Sequence, residues 1–323
     1  VDVMMSLFDT LITPILSYGA EVWLPFTKPV TNATLQSILD KQFSAYISPN
    51  CPTENVHIKF CRSLLGVHKR TMKLPVLAEL GRYPISLNAL CQTITFWIHI
   101  TESDEDSYLR QAYNDMLLAE SHNNAIWLKF VKNILLSMGF SHVWENQGTL
   151  NVKRLKYSIQ NKLQEKYLQY WTSVKNGISS RLSFYNKIVC DYGLQPYLIS
   201  CKNSKHRTAL CRLRLSSHEL AIEQGRYYNT PKHERLCKLC RVLEDEYHFL
   251  DMCSMYDKLR STLIMTVSSS SQPSYPSLAT VHNSAPYQTP SSLLLSNSAQ
   301  PELARYVYEC LKVRSQYVSP SAN

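Results

Sequence analysis

Apolar residues recur at helical spacing along much of this chain, and this spacing predicts a mainly α-helical protein. Helices are predicted over residues 54–65, 85–100, 108–119, 152–174 and 301–317, and another over residues up to 47, with Asn32 or Thr34 as its cap. The longest carries one apolar stripe, made of Val152, Leu155, Ile159, Leu163, Tyr167, Tyr170, Trp171 and Val174. Residues 85–100 are apolar almost all round, which predicts a central core helix.

The pattern changes near the carboxyl end. Residues 261–301 contain no charged side chain, and residues 268–299 are rich in Ser and Pro. Such a composition buries little apolar surface, so we predict a loop or linker there. The chain as a whole then predicts a helical bundle, a small module and a C-terminal helix.

Composition narrows the class of protein. The 323 residues are 45% hydrophobic, which is enough for a core and for two modest domains. We find no apolar run of membrane-spanning length and no signal peptide, so we expect a soluble, intracellular protein with reduced cysteines. The chain begins with Val, which we interpret as a fragment of a longer protein or an incomplete gene prediction.

Positive charge is concentrated in one part of the chain. The net charge is +9, and residues 121–215 hold fifteen Lys and Arg against three acids. This clustering favours RNA or DNA as partner, although a basic helix face is often only solvated. The candidate phosphate contacts are Lys205, Arg207, Arg212, Arg214, Arg235, Lys238 and Arg241. Tyr227, Tyr228 and Tyr247 either stack on unpaired bases or pack against their own loop.

One cysteine and histidine pattern predicts a metal site. Cys237, Cys240, His248 and Cys253 form the pattern C-x2-C-x7-H-x4-C. Three thiols and one imidazole are the donors of a tetrahedral Zn²⁺ site, and four protein ligands leave no position for a substrate. We therefore predict a structural zinc ion, and expect the acids at residues 244–246 to lose to the thiolates. The alternative is four unrelated donors in a chain with ten Cys and ten His.

Several sequence blocks resemble reverse transcriptases of LINE-type (non-LTR) retrotransposons. Three are similar to the region that follows the palm, namely Pro14-Ile-Leu-Ser-Tyr-Gly-Ala-Glu-Val-Trp23, Cys61-Arg-Ser-Leu-Leu-Gly-Val67 and Glu79-Leu-Gly-Arg-Tyr-Pro84. Residues 213–226, 234–240 and 245–253 resemble the zinc-knuckle region at the carboxyl end of the same polyproteins. The blocks follow the family's order across residues 7–260.

The resemblance and the pattern of the last sixty residues together imply five consecutive segments. They are a thumb-like helical region (1–100), a basic helical connector (101–215), a zinc-knuckle-like module (216–260), a linker (261–301) and a C-terminal helix (302–323). The resemblance also implies binding to RNA and/or DNA, upstream palm and fingers domains in a full-length product, and a nuclear or nucleo-cytoplasmic location. We expect no membrane partner and no small-molecule substrate.

The polymerase signature of that family is missing. The family's enzymes are RNA-directed DNA polymerases with an endonuclease, and polymerisation needs clustered carboxylates that hold two metal ions. The chain has no Tyr-x-Asp-Asp, and we interpret Asp104-Glu105-Asp106 as an acidic loop. We therefore expect no catalytic residues in this chain alone. The alternative is a degenerate or co-opted transposon-derived scaffold that binds protein and has a zinc-stapled end.

Overall fold

The computed structural model describes residues 1–24, 52–120, 126–147, 152–177, 182–189, 191–270 and 289–318. Within these ranges the protein is mainly helical, with two isolated β-bridges and no strand, which confirms the predicted fold class. The helix predicted to end at residue 47 lies outside the described residues. Among the described helices, none combines the length and the apolar character needed to cross a membrane.

Sixteen α-helices lie in the described ranges. They are α1 (Asp2–Leu7), α2 (Thr13–Leu16), α3 (Ala20–Trp23), α4 (Pro52–Leu65), α5 (Lys73–Glu79), α6 (Ile85–Glu102), α7 (Tyr108–Glu120), α8 (Ile126–Ser137), α9 (Ser141–Glu145), α10 (Val152–Lys175), α11 (Ser183–Ile188), α12 (Tyr197–Ser200), α13 (Ser204–Arg214), α14 (Ala221–Tyr227), α15 (Asp257–Ser270) and α16 (Gln300–Val318). The five predicted helices that fall in these ranges correspond to α4, α6, α7, α10 and α16.

The chain divides into two compact units. The amino-terminal unit comprises Asp2–Phe60 and Arg82–Gly177, and the carboxyl-terminal unit comprises Cys61–Gly81 and Ile178–Asn323. In this division, residues 61–81 fold with the carboxyl-terminal half, and the metal pattern belongs to the same unit. The five consecutive segments stay a prediction. The ion pair between α5 and α13, described below, explains why residues 61–81 join that unit.

Helix α6 is the centre of the amino-terminal unit, as its all-round apolar character predicts. It contacts α3, α7, α8 and α10. Trp97 of α6 is 1% exposed, and its indole Nε1 donates a hydrogen bond to the Tyr113 hydroxyl at 3.2 Å. The apolar stripe of α10 is also inside, with Leu155, Ile159, Leu163, Tyr167 and Trp171 buried.

A buried polar network fixes the start of α6. The Arg82 Nε donates to His57 Nε2 at 2.9 Å, so the imidazole hydrogen sits on Nδ1 and points at Glu54 Oε1, 3.0 Å away. The other Glu54 oxygen accepts from the backbone N–H of Ile85 at 2.9 Å. A carboxylate at a helix N-terminus is stabilised by the helix dipole. Arg82 completes the network through an ion pair with Asp9.

In the carboxyl-terminal unit, α16 is the element around which others pack. It contacts α12, α13, α15 and the 3₁₀ turn Ser292–Leu295. One face of α16 is fully buried, with Leu303, Ala304, Val307 and Cys310 at helical spacing.

The predicted linker over residues 261–301 needs correction where the structure describes it. Helix α15 runs on to Ser270, with Leu263 and Val267 buried. Leu293 and Leu294 are buried in the 3₁₀ turn. The lack of charge in these parts therefore reflects burial against α16 and its neighbours rather than a chain that packs against nothing.

A buried ion pair joins α5 to α13. The Arg214 Nε lies 2.5 Å from Glu79 Oε1, and its Nη2 donates to Gln195 Oε1 at 2.9 Å. The Tyr197 hydroxyl donates to the same Glu79 oxygen at 3.3 Å. Burial by itself lowers the pKa of Arg214, but the Glu79 carboxylate outweighs it and holds that pKa above the ordinary value. Arg214 therefore keeps its positive charge inside the protein.

Gly81 allows the chain to turn directly after this pair. Its φ is +64°, and a Cβ built there would lie 2.6 Å from the backbone nitrogen of Leu194. Glycine alone tolerates both the left-handed backbone and the close approach. Gln195 donates from its backbone N–H to the Glu79 carbonyl at 3.0 Å, so the turn and the ion pair hold the same loop.

Candidate metal centre

A short hairpin carries the C-x2-C pair. An antiparallel bridge joins Leu236 to Leu243. Inside it, the Cys237 N–H donates to the Val242 carbonyl at 2.7 Å, and the Arg241 N–H donates to the Cys237 carbonyl at 3.0 Å. Arg241 closes the turn in the left-handed region, with φ +58°. Both cysteines of the pair are therefore held on one tight turn.

A helical turn carries the other two donors. The Asp245 carboxylate accepts from the His248 N–H at 2.8 Å, and its carbonyl accepts from the Phe249 N–H at 3.0 Å. The Cys253 N–H donates to the His248 carbonyl at 2.8 Å, and the Arg260 Nη2 donates to the Cys253 carbonyl at 2.8 Å. We call the hairpin and this turn, residues 235–253, the metal segment.

The metal segment brings all four predicted donors together. One ligand atom from each of Cys237, Cys240, His248 and Cys253 lies within 4.8 Å of the others. The Cys253 sulfur is 3.9 Å from that of Cys237 and 3.7 Å from that of Cys240. A tetrahedral ion with metal–sulfur bonds of about 2.3 Å places its sulfurs about 3.8 Å apart. A disulfide would bring two sulfurs to about 2.05 Å, so these spacings fit thiolates around one ion.

His248 gives a second, independent indication that the cluster binds a metal ion. Its Nε2 is buried and has no hydrogen-bond partner in the protein. Buried polar atoms are rarely left unpaired, and a metal ion would satisfy this one. Burial also lowers the pKa of His248, which favours the neutral imidazole that binds metals.

The thiols differ in their surroundings. Burial raises the pKa of Cys253 to about 12. Burial has the same direction at Cys240, but hydrogen bonds with Ser254 outweigh it and hold the pKa of Cys240 below its usual value. Cysteine binds metals as thiolate, so a metal at this site would displace the Cys253 proton.

The three consecutive acids of the metal segment, Glu244, Asp245 and Glu246, have other partners. The Glu244 carboxylate forms a bidentate pair with Arg314, with Nε–Oε1 at 2.7 Å and Nη2–Oε2 at 2.8 Å. Glu246 lies 3.2 Å from His218 Nε2, and Asp245 accepts the backbone hydrogen bond described above. These interactions agree with the expectation that carboxylates do not compete for the ion.

Helix α16 holds the metal segment from the far end of the chain. Arg314 belongs to α16, and the Tyr306 hydroxyl of the same helix donates to the Leu250 carbonyl at 2.7 Å. Glu244 also accepts from the Ala221 N–H at 2.7 Å, which joins α14 to the same carboxylate. Three separated parts of the chain therefore meet at Glu244.

Substituting Asp245 with Ala is expected to destabilise the carboxyl-terminal unit by about 1 kcal/mol. The change removes the acceptor for the His248 N–H at the first turn of the helix. Asp245→Asn keeps a side-chain oxygen in that place and serves as control. Thermal unfolding of both metal-loaded variants measures the difference, and equal melting temperatures for Ala and Asn would contradict the capping role.

Six of the seven predicted phosphate contacts fall into two groups. Four are exposed, and these are Lys205, Arg212, Lys238 and Arg241. Two others are half-buried and hold backbone carbonyls: Arg207 donates to Cys201 at 2.9 Å, and Arg235 donates to Thr230 at 2.9 Å and to Ile222 at 3.1 Å. The primary task of Arg207 and Arg235 is therefore to fix their own loops.

Arg214 does not fit its predicted role. It is 1% exposed and paired with Glu79, which is 0% exposed, so no phosphate reaches its guanidinium. The residue has the spacing of a surface cation on α13, but it lies on the face that packs on α5. Arg214 is therefore not a candidate phosphate contact.

The three tyrosines predicted to stack on bases or to pack also fall into two groups. Tyr247 packs edge-on against Phe184, and the Lys187 ammonium lies 5.0 Å from its ring centroid, so it serves packing. Tyr227 and Tyr228 are 55% and 73% exposed. Lys69 and Arg70 are exposed, and Arg70 lies over the Tyr227 ring. The sequence did not indicate these two cations as site residues, because they are more than 150 residues from the two tyrosines in the chain.

Comparison with known proteins adds no further assignment: no family model, no curated protein and no solved structure matches this chain.

Proposed function

We propose that this chain is the C-terminal part of a LINE-type reverse transcriptase and binds RNA or DNA without catalysing polymerisation itself. The proposal rests on the metal segment, whose turn carries the exposed cations Lys238 and Arg241 between and beside the clustered donors. The sequence blocks that resemble the family support it. In a full-length product, the palm and fingers domains would precede this chain, and the location would be nuclear or nucleo-cytoplasmic.

We further propose that the ion is Zn²⁺. Three thiols and one imidazole are a donor set that zinc prefers, and their sulfur spacing suits tetrahedral coordination. Four protein ligands complete the coordination, so the ion shapes the segment and takes no part in catalysis. When bound, it supplies folding free energy to the hairpin and to the turn that follows it.

A rigid turn with two cations suits phosphate binding. The metal and the backbone hydrogen bonds of the hairpin fix the positions of Lys238 and Arg241, so less conformational entropy is lost on binding. Phosphate contacts release counterions, which makes the affinity fall with salt, by about 0.7 in log–log slope per contact on single strands. Exposed Lys205 and Arg212 are further candidates on α13.

Salt dependence tests the proposal. We expect the zinc-loaded chain to bind a fluorescent single-stranded RNA or DNA, and Lys238→Gln with Arg241→Gln to reduce the log–log slope by about 1.4. Lys202→Gln with Lys258→Gln removes the same charge from exposed positions of the same unit and is the matched control. Anisotropy titrations between low and moderate salt provide the slopes. No binding, or a slope that both pairs change equally, would refute phosphate contact at the turn.

One observation favours the second candidate, a protein-interaction scaffold. The metal turn also exposes apolar side chains, with Leu239 42% and Val242 49% exposed. A scaffold predicts weak, unspecific oligonucleotide binding. It also predicts that Leu239→Ser with Val242→Ser loses capture of a protein partner. Under the same conditions, Lys238→Gln with Arg241→Gln should capture that partner normally.

A further inference from the structure

A groove with a volume of about 760 Å³ opens on the carboxyl-terminal unit. Its walls come from the loop between α4 and α5, the end of α13 and the end of α14. The volume lies within the range of about 300–1,000 Å³ that ligand sites usually span. None of its lining residues is a donor of the metal cluster, so the groove is a separate place on the unit. We call it the α14 groove.

Three cations line the α14 groove. Lys69, Arg70 and Arg212 are exposed there, and the Arg212 Nε donates to the Gly66 carbonyl at 2.7 Å, which fixes its position. The lining includes two acids, and one of them, Glu223, is already in an ion pair with Arg226. The groove is therefore electropositive and suits an anion such as a phosphate.

Two exposed tyrosines also line the α14 groove. Tyr227 and Tyr228 stand at 86° to each other with ring centroids 4.9 Å apart. The Arg70 guanidinium lies 4.5 Å from the centroid of Tyr227. Exposed aromatic rings next to cations are the arrangement with which proteins hold unpaired bases, through stacking and cation–π contact.

A buried hydroxyl in the wall lacks a partner. Thr71 is 5% exposed, lines the groove, and its Oγ1 makes no hydrogen bond within the protein. Its backbone is fully engaged, since the N–H donates to the His68 carbonyl at 2.9 Å and the carbonyl accepts from Arg62. Buried polar atoms are rarely left unpaired, so this hydroxyl is an unsatisfied polar group in the groove wall.

We propose that the α14 groove binds a short unpaired segment of RNA or DNA. The bases stack on Tyr227 and Tyr228, while Lys69, Arg70 and Arg212 hold the phosphates. A duplex does not fit this arrangement, because its bases are already stacked on each other and their faces are hidden. The inference rests on the proposed function and adds a second contact site to the metal turn, with preference for single strands.

Base stacking distinguishes this groove from general electrostatic attraction. The test uses the full zinc-loaded chain and a single-stranded decamer with 2-aminopurine, whose fluorescence falls when it stacks. We expect binding with quenching, about tenfold weaker binding of the same strand in a duplex, and about tenfold weaker binding with lost quenching in Tyr228→Leu. Tyr228→Phe keeps the ring and should behave as the parent. Zinc content and circular dichroism confirm that each variant is folded.

Variants that remove positive charge from the groove provide the second part of the test. Lys69→Gln with Arg70→Gln should weaken binding several-fold more than the matched pair Lys202→Gln with Lys258→Gln. Strong binding that all groove variants share with the parent would overturn the groove while leaving the metal turn as the binding site. Equal affinity for single strand and duplex without quenching would also overturn it. Absence of any binding by the parent chain would overturn this inference and the proposed function together.

Discussion

Replacing Cys253 with Ser is expected to abolish stoichiometric metal binding and to unfold the metal segment. Cys253 is 1% exposed, and its sulfur is close to both sulfurs of the C-x2-C pair. Structural zinc contributes on the order of 10–16 kcal/mol to segments of this kind, far more than the few hydrogen bonds of the hairpin. Metal analysis of the purified protein and hydrogen exchange of residues 235–253 measure the two effects.

The control for this substitution is Cys91→Ser. Cys91 is a half-buried free cysteine of the amino-terminal unit and lies outside the cluster, so the variant should keep one equivalent of metal. Substitution of Co²⁺ adds an optical check, because its thiolate absorption should be present in Cys91→Ser and absent or altered in Cys253→Ser. Full metal content and unchanged exchange in Cys253→Ser would show that the four donors hold no ion.

Arg214→Met is expected to lower the free energy of unfolding by about 3–5 kcal/mol. The change leaves the Glu79 carboxylate inside the protein without its cation, and the hydroxyl of Tyr197 does not replace an ion pair. Because Glu79 is 0% exposed, water does not compensate for the loss. Chemical denaturation measures the effect, with unfolding of the carboxyl-terminal unit monitored by circular dichroism at helical wavelengths. This signal does not require a tryptophan in that unit.

The double variant Glu79→Leu with Arg214→Met separates lost attraction from an uncompensated charge. Replacing both members of a buried pair with apolar residues of similar size is often neutral or stabilising, so the double variant should recover most of the loss. Arg212→Met, at the exposed neighbouring position on α13, should cost less than about 1 kcal/mol. A double variant no more stable than Arg214→Met would contradict this account.

Local patterns were sufficient for the long helices and for the metal donors. The stripe of α10 is buried where its spacing predicts, and the residue after α4, Gly66, takes the left-handed conformation of a helix end at φ +65°. The four donors lie within seventeen residues, so their spacing alone indicates a metal site. A pattern within a short window is enough in such cases.

Features that depend on residues far apart in the chain could not be predicted from the sequence. Arg214 has the composition and spacing of a surface cation, and only the approach of Glu79, 135 positions away, explains its burial. Uncharged residues 261–270 resemble a linker until α16 provides the surface that covers Leu263 and Val267. The α14 groove combines residues 69–71, 212 and 227–228, and no single stretch contains its chemistry.

The contacts of α16 make the last residues of the chain a condition for the cysteine cluster. A stop codon before Gln300 would spare every donor atom but delete Arg314 and Tyr306. Glu244 would then lose the Arg314 guanidinium, and the Leu250 carbonyl would lose its phenolic donor. Forms of this protein truncated before Gln300 should therefore be insoluble or rapidly degraded, even though they retain Cys237, Cys240, His248 and Cys253.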